Sequence, residues 1–336
     1  MTAVLDSLQQ GRKTILPAMR AALDRLDPIS RSTAHYHLGW TDLDGNPTEG
    51  GGKAVRPALA LLSAEAAGAE AEVGLPGAVA VELVHNFSLL HDDLMDGDTE
   101  RRHRPTVWTV RGAASAILTG DAMLSLAQEI LLDGDAPCSF AAARLLADAT
   151  NELIRGQVLD VSFEQRNDVG LDECLDMAAG KTGALLSAST AIGAVLAGAP
   201  QPVIEALAGF GADLGLAFQL VDDVLGIWGE TAVTGKPVFS DLHARKKSLP
   251  VTYAITHGGA LGRELADWLA RPDTPGEESV RHAAGLIEQA GGRKWALDEA
   301  YRRMADGRHK LEAVGVPERP REELLSLAEF IVTREA

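Results

Sequence analysis

The chain has 336 residues, 46% of them hydrophobic and only 4% aromatic, with a formal net charge of −17. That length gives room for one large domain or two ordinary ones, with a substantial core. The acidic balance disfavours non-specific nucleic-acid binding and suits a soluble cytoplasmic protein, while leaving room for an anionic substrate at a local basic cluster or bound metal.

Ala and Leu abound and β-branched runs are short, which predicts an all-α protein. Met1 to Leu8 has no basic or apolar leader pattern, so no signal peptide is expected. Residues 1–38 read as an amphipathic helical lead-in, with Leu5, Leu8, Ile15, Met19 and Leu23 at helical spacing. A turn-rich segment, Gly39 to Gly52, delivers the chain to Lys53-Ala54-Val55-Arg56-Pro57 and a helix over about 57–67. Gly77 to Asp96 reads as a long buried helix that carries Glu82, His85 and the run His91-Asp92-Asp93-Leu94-Met95-Asp96. Gly97-Asp98 ends it, and the basic run Arg101-Arg102-His103-Arg104 follows. Helices are expected over 112–132, 139–164, 171–197 and 204–228, the last with Gln219, Asp222 and Asp223. Residues 229–248 form a polar segment with Lys236, Asp241, Arg245, Lys246 and Lys247. Amphipathic helices then run to the end, broken by a loop at 272–278. Thr182 to Ile204 carries no charge, yet its unbroken part is too short and weakly hydrophobic to span a bilayer, so no transmembrane segment is expected. Cys138 and Cys174 show no metal-ligand spacing and make no disulfide framework, as in a reducing compartment.

Asp92 and Asp96 stand four apart, one turn above the other on a helix, where like charges repel. A divalent cation or the downstream arginines must offset them. The preceding residues are apolar on all sides, and buried carboxylates are paired or metal-bound. An echo of the pattern recurs 130 residues on at Asp222-Asp223. Two such helices facing one another would wall a cavity with carboxylates, as in bundle-core metal sites. Hard oxygen ligands without His or Cys company select Mg²⁺, commonly shared with substrate phosphates. Lys53, Arg56, Arg101, Arg102, Lys181 and Lys236 are cations able to grip phosphate directly. No P-loop and no dinucleotide fingerprint is present. Singly, each feature has a plain reading: Lys181 a snorkelling surface lysine, His85 a satisfied core histidine, Arg101 to Arg104 a counter-charge at a helix C-terminus. Their joint occurrence in this order argues for function.

These residues resemble the trans-isoprenyl diphosphate synthase (polyprenyl synthetase) family, and the match runs from about Gly52 to Pro250. It comprises Gly52-Lys53-Ala54-Val55-Arg56-Pro57, Glu82 with His85, Asp92-Asp93-Leu94-Met95-Asp96, Arg101-Arg102, Gly156-Gln157 with Asp160, Lys181-Thr182-Gly183, Phe218-Gln219 with Asp222-Asp223, Gly235-Lys236 and Lys247-Ser248-Leu249-Pro250. The resemblance implies one all-α domain over residues 1–336 (lead-in 1–38, catalytic motifs 39–250, C-terminal helices 251–336). The fold would be a helical bundle around a central cavity, and the assembly a homodimer. It implies that Asp92 and Asp96 hold two Mg²⁺ ions and Asp222 a third, and that these ions bind the allylic diphosphate. Arg101, Lys181, Thr182, Gln219 and Lys236 would contact the same diphosphate. Lys53, Arg56, His85 and Arg102 would bind isopentenyl diphosphate. The implied reaction is ionisation of the allylic diphosphate, attack on the cation by isopentenyl diphosphate, and loss of a proton to pyrophosphate. Metal and cations stabilise the departing charge.

Two positions depart from the family pattern. Gly226 replaces the last acid of the second DDxxD motif, and the segment before Asp241 reads Pro237-Val238-Phe239-Ser240 where the family often has a glycine. Product length is expected to depend on Phe87 and Ser88, five and four residues before Asp92, because helical side chains cover the turn on their N-terminal side. One bulky residue beside one small one resembles geranylgeranyl diphosphate synthases, so a C20 product is expected, with C15 next. A class I terpene cyclase is the alternative enzyme, but Leu171 and Leu175 occupy two positions of its second metal motif after Asn167-Asp168. A non-catalytic partner subunit would be expected to lose the first aspartate motif, which is intact here.

Overall fold

The structure, a computed structural model, describes residues 2–48, 50, 52, 54–134, 137–230 and 237–333, with the main chain alone at 2–7, 9, 10 and 137. It is helical almost throughout. Among the described residues, β-structure is limited to a ribbon of two-residue strands and one bridge between Thr41 and Pro47. The chain divides into two compact units, 1–150 with 188–208 and 314–324, and 151–187 with 209–313 and 325–336.

The first unit begins with α1 (Thr2–Leu23) and α2 (Pro28–His37), two helices where one lead-in was expected. The break is local chemistry. Asp27 accepts from the backbone N–H groups of Ile29 and Ser30, and Pro28 takes the first helical position, so a new helix starts there. Next come α3 (Val55–Ala66), a 3₁₀ turn (Ala71–Gly74), α4 (Leu75–Met95), β1 (Glu100–Arg101), β2 (Arg104–Pro105), α5 (Val107–Arg111) and α6 (Ala113–Leu132). The helix α7 (Pro137–Glu164) contributes its first half, and α9 (Ala184–Leu196) its second. Leu23, Leu59, Leu83, Leu90, Met123 and Leu131 are fully buried. Small residues let α4 approach its neighbours: a Cβ on Gly77 would lie 2.8 Å from Ile192, and one on Gly120 of α6 2.7 Å from His91 Cδ2.

The second unit holds the remainder of α7, α8 (Leu171–Ala178), a π turn (Ala179–Gly183) and most of α10 (Gln201–Trp228). It continues with α11 (Ser240–His243), α12 (Leu249–His257), α13 (Ala260–Leu269), α14 (Glu277–Gln289) and α15 (Gly292–Ala313); α16 (Glu318–Val332) is shared with the first unit. Its core gathers Ile227, Leu242, Val251, Leu265, Trp268 and Ile287. By length and composition alone, 71–95, 113–132 and 201–228 are long and apolar enough to cross a membrane. Half or more of the apolar window is buried inside the protein in the first and third of these, as expected for core helices.

Candidate active site

In the first unit, Asp92 and Asp96 close the C-terminal end of α4, where the Asp96 N–H donates to the Asp92 carbonyl at 2.9 Å. Negative side chains at a helix C-terminus oppose the macrodipole. Their persistence there fits a cation-binding role. Asp93 between them does something else. Its side chain is 2% exposed, and Oδ1 accepts from Arg101 Nε at 2.6 Å. Burial pushes its carboxyl up, and Arg101 opposes that shift. The arginine run thus supplies Asp93 with an ion pair through Arg101. It is a two-residue hairpin, in register Arg101 to Arg104, with Arg102 and His103 both at positive φ (52° and 60°). That twist matches paired strands, but it carries backbone strain in residues other than glycine. Tyr36 Oη donates to the Pro105 carbonyl at 2.8 Å, and Arg104 lies over the Tyr36 ring while donating to the Thr41 carbonyl at 2.7 Å, which anchors the hairpin.

The result is a cavity of about 220 Å³ lined by Arg12, His37, Asp93, Arg101, Arg102 and Arg104. The Arg102 guanidinium packs on Gly52, where a Cβ would lie 3.1 Å from Nη2. Two histidines lie in the field of these arginines. Burial drives the His37 imidazole down to about 3, helped by Arg102 and Arg101. Burial, Arg56 and Arg102 drive His85 well below its usual range. Both are therefore neutral at pH 7 and able to donate or accept without adding charge. Glu82, pushed up by burial and held down by Arg56, is the main internal counter-charge to Arg56. Asn86 ties itself to Glu82 through a 3.2 Å side-chain bond. Arg56, His85 and Arg102 are thus brought together as expected, whereas Lys53 lies outside the described residues. His37 was not anticipated. Only its place before Leu38-Gly39 could have marked it, and that signal is faint.

In the second unit, close glycine contacts set the geometry. A Cβ on Gly156 would lie 2.7 Å from the Gly180 carbonyl carbon, and one on Gly215 2.6 Å from Gly183 Cα. These contacts let α7 and α10 approach the π turn that carries Lys181 and Thr182. π segments commonly mark functional sites. Lys181 Nζ donates to Asp160 Oδ2 at 2.6 Å, and Thr182 Oγ1 to Gln219 Oε1 at 2.7 Å. Gln219 Nε2 in turn donates to Asp223 Oδ1 at 2.8 Å, while the Leu249 N–H donates to Asp223 Oδ2 at 2.8 Å. Asp223 is 3% exposed and caps the start of α12 from a distance in sequence. Burial raises its carboxyl to about 6 against the pull of Lys246. Lys246 is held protonated by Asp223, Asp241, Asp160 and Asp222. Asp222 is exposed. Lys236 lies outside the described residues.

The acids offer oxygen ligands only. Among the described residues, no three His, Cys, Asp or Glu side chains group closely enough to hold a metal by themselves. That donor set suits Mg²⁺ taken up together with substrate phosphates rather than a preformed protein cage. Asp92 and Asp96 offer such oxygens in the first unit and Asp222 in the second.

The polyprenyl synthetase family model matches residues 45–287. The chain is 55% identical to the (2E,6E)-farnesyl diphosphate synthase of Mycobacterium tuberculosis over 99% of its own length and 94% of that protein's. It is 41% identical to the geranylgeranyl diphosphate synthase of the same organism, over 98% and 93%. The crystal structure of polyprenyl synthetase from Streptomyces coelicolor A3(2) superposes with a TM-score of 0.93 at 52% identity, covering 98% of this chain and 100% of that one. Motifs, all-α fold and full-length relatives agree: the chain belongs to the polyprenyl synthetase family, the trans-isoprenyl diphosphate synthases, and is a transferase of that class.

Proposed function

We propose that the protein is a Mg²⁺-dependent, cytoplasmic, homodimeric synthase that condenses isopentenyl diphosphate with a short allylic diphosphate. The observation that carries this reading is the basic cavity of the first unit. It places Arg12, Arg101, Arg102 and Arg104 around one cavity with the neutral His37, a lining suited to gripping phosphate without a metal, in a chain that also presents metal-type acids at the half-buried Asp92 and the exposed Asp96 and Asp222. Two diphosphates require two kinds of grip; a terpene cyclase needs one. Arg56, His85 and Arg102, with Lys53, bind isopentenyl diphosphate. Arg101, Lys181, Thr182, Gln219 and Lys236 contact the allylic diphosphate. Mg²⁺, when bound, neutralises the leaving pyrophosphate. The Thr182–Gln219 hydrogen bond fixes two dipoles suited to steadying a carbocation. Exposed Ile117, Leu118 and Phe140 of the first unit supply an apolar surface for a second copy.

Two observations bear on chain length. The 55% identical relative is a farnesyl synthase, which favours a C15 product. The buried Phe87 beside the small Ser88 favours C20. We put C15 first and C20 second. Purified protein with Mg²⁺, isopentenyl diphosphate and each of dimethylallyl, geranyl and farnesyl diphosphate tests the reading by product chromatography. An elongated prenyl diphosphate is expected; a hydrocarbon product, or no turnover with any starter, overturns it.

A further inference from the structure

Three buried polar atoms of the first unit have no hydrogen-bond partner within the chain: His37 Nε2, Asn86 Oδ1 and Arg56 Nε. Leaving such a group unpaired is costly, so a cluster of them has a cause. All three lie on one line of contacts. Arg56 is paired electrostatically with Glu82. Asn86 stands one turn after Glu82 on α4, and its Nδ2 donates to the Glu82 carbonyl at 2.8 Å and to Glu82 Oε1 at 3.2 Å. That commits the Asn86 amide to Glu82 and leaves its Oδ1 to the His37 ring, on which Asn86 acts as an acceptor.

His37 is held in place from behind. It ends α2, which is pinned by the Tyr36 bond to Pro105 and by Arg111, whose guanidinium donates to Thr33 Oγ1 at 3.3 Å and to Ser32 Oγ at 3.2 Å. Gly39 then turns the chain away at a φ of 72°. A helix C-terminus favours a protonated histidine, but burial and the neighbouring arginines outweigh that effect and keep His37 neutral. A neutral ring can donate to Asn86 without competing with Arg56 for the Glu82 charge. The same ring lines the basic cavity, so it joins the cavity wall to the Asn86–Glu82–Arg56 line.

We propose that His37 is a positioning residue for isopentenyl diphosphate: when the diphosphate fills the basic cavity, the ring closes onto Asn86 and, through Glu82, fixes the guanidinium of Arg56. The inference rests on the reading of this region as the isopentenyl diphosphate site. Functional hydrogen bonds are often loose before the ligand binds and tighten in the complex, which accounts for the open contact between His37 and Asn86. His37 acts through Arg56 and not on the reacting atoms.

The test is calorimetric binding of isopentenyl diphosphate to the full chain without an allylic partner, with steady-state kinetics and the melting temperature read alongside. His37→Leu is expected to weaken binding about tenfold and to raise the KM for isopentenyl diphosphate in step. The kcat and the KM for geranyl diphosphate are expected to stay within about twofold. His37→Gln keeps a neutral donor and is expected to retain most of the affinity. Asn86→Ser cuts the same line from its other end, and the His37→Leu/Asn86→Ser double variant is expected to bind no more weakly than the weaker single variant. Wild-type affinity in folded His37→Leu or Asn86→Ser, equal losses for both substrates, strictly additive losses, or a His37→Gln as weak as His37→Leu overturns the inference. Arg56→Gln separates the two levels. If it weakens binding while His37→Leu and Asn86→Ser do not, only the present inference falls; if it leaves binding intact, the reading of Arg56 as an isopentenyl diphosphate residue falls as well.

Discussion

In α4 the buried carboxylate Asp93 is held by a single guanidinium that arrives on a strained hairpin. In α10 the buried carboxylate Asp223 is held by an amide, a backbone N–H and the field of an ammonium. Each pair thus splits in the same way. The second aspartate turns inward and serves the fold, at 2% and 3% exposure, while the first stays accessible to a ligand. The difference lies in how many groups each buried acid organises. Asp93 positions one arginine at the edge of the basic cavity. Asp223 connects three segments: Gln219 and, through it, the Thr182 turn, and the start of α12.

That contrast is open to direct attack. Asp223→Ala strands the buried Leu249 N–H and the half-buried Gln219 amide, each costing about 1–3 kcal/mol, so a loss of about 3 kcal/mol is expected from urea unfolding. Asp93→Ala leaves Arg101, whose side chain is 30% exposed and can turn to water, and is expected to cost less. Equal losses would remove the distinction. Next in size is a change of product. Phe87, 6% exposed and edge-on to His91 at 4.9 Å, is expected to limit chain growth. Phe87→Ala should lengthen the products seen by chromatography, at a stability cost of about 3 kcal/mol; an unchanged product distribution would put the floor elsewhere.

The smallest effect concerns pH and belongs to the first unit. His37 titrates near 3 when folded and near 6.5 when unfolded. Between these values the unfolded chain binds the extra proton, so stability from this group is complete above about 6.5 and is lost as pH falls towards 3. His37→Gln should therefore lose less stability than wild type between pH 7 and pH 5, by roughly 1–2 kcal/mol. Parallel unfolding curves for the two proteins would show that His37 is not held neutral.

The long helices, the acidic runs and the Lys181-Thr182-Gly183 motif were legible because their signals are local: apolar periodicity, turn residues and spacing. The break between α1 and α2 was also written locally, in Asp27-Pro28, and only outweighed by the periodic leucines on either side. The hairpin at Arg101 to Arg104 was not legible, since neither Arg102 nor His103 is a residue that advertises positive φ. Nor was the pairing of Arg101 with Asp93, because which of three neighbouring carboxylates turns inward is decided by packing. His37 and Asp241 reach their places through tertiary contacts across 48 and 15 residues, to His85 and Gly226 respectively, and no spacing rule connects them.

The central claim is that the accessible first aspartate of each pair works on the ligand and not on the fold. The most direct measurement is the Mg²⁺-supported prenyl-transfer rate of Asp92→Ala, expressed per folded molecule and read beside its melting temperature. A rate lowered by about 10²–10³-fold or more, with an unchanged melting temperature, is expected. A folded Asp92→Ala that turns over at the wild-type rate would contradict it.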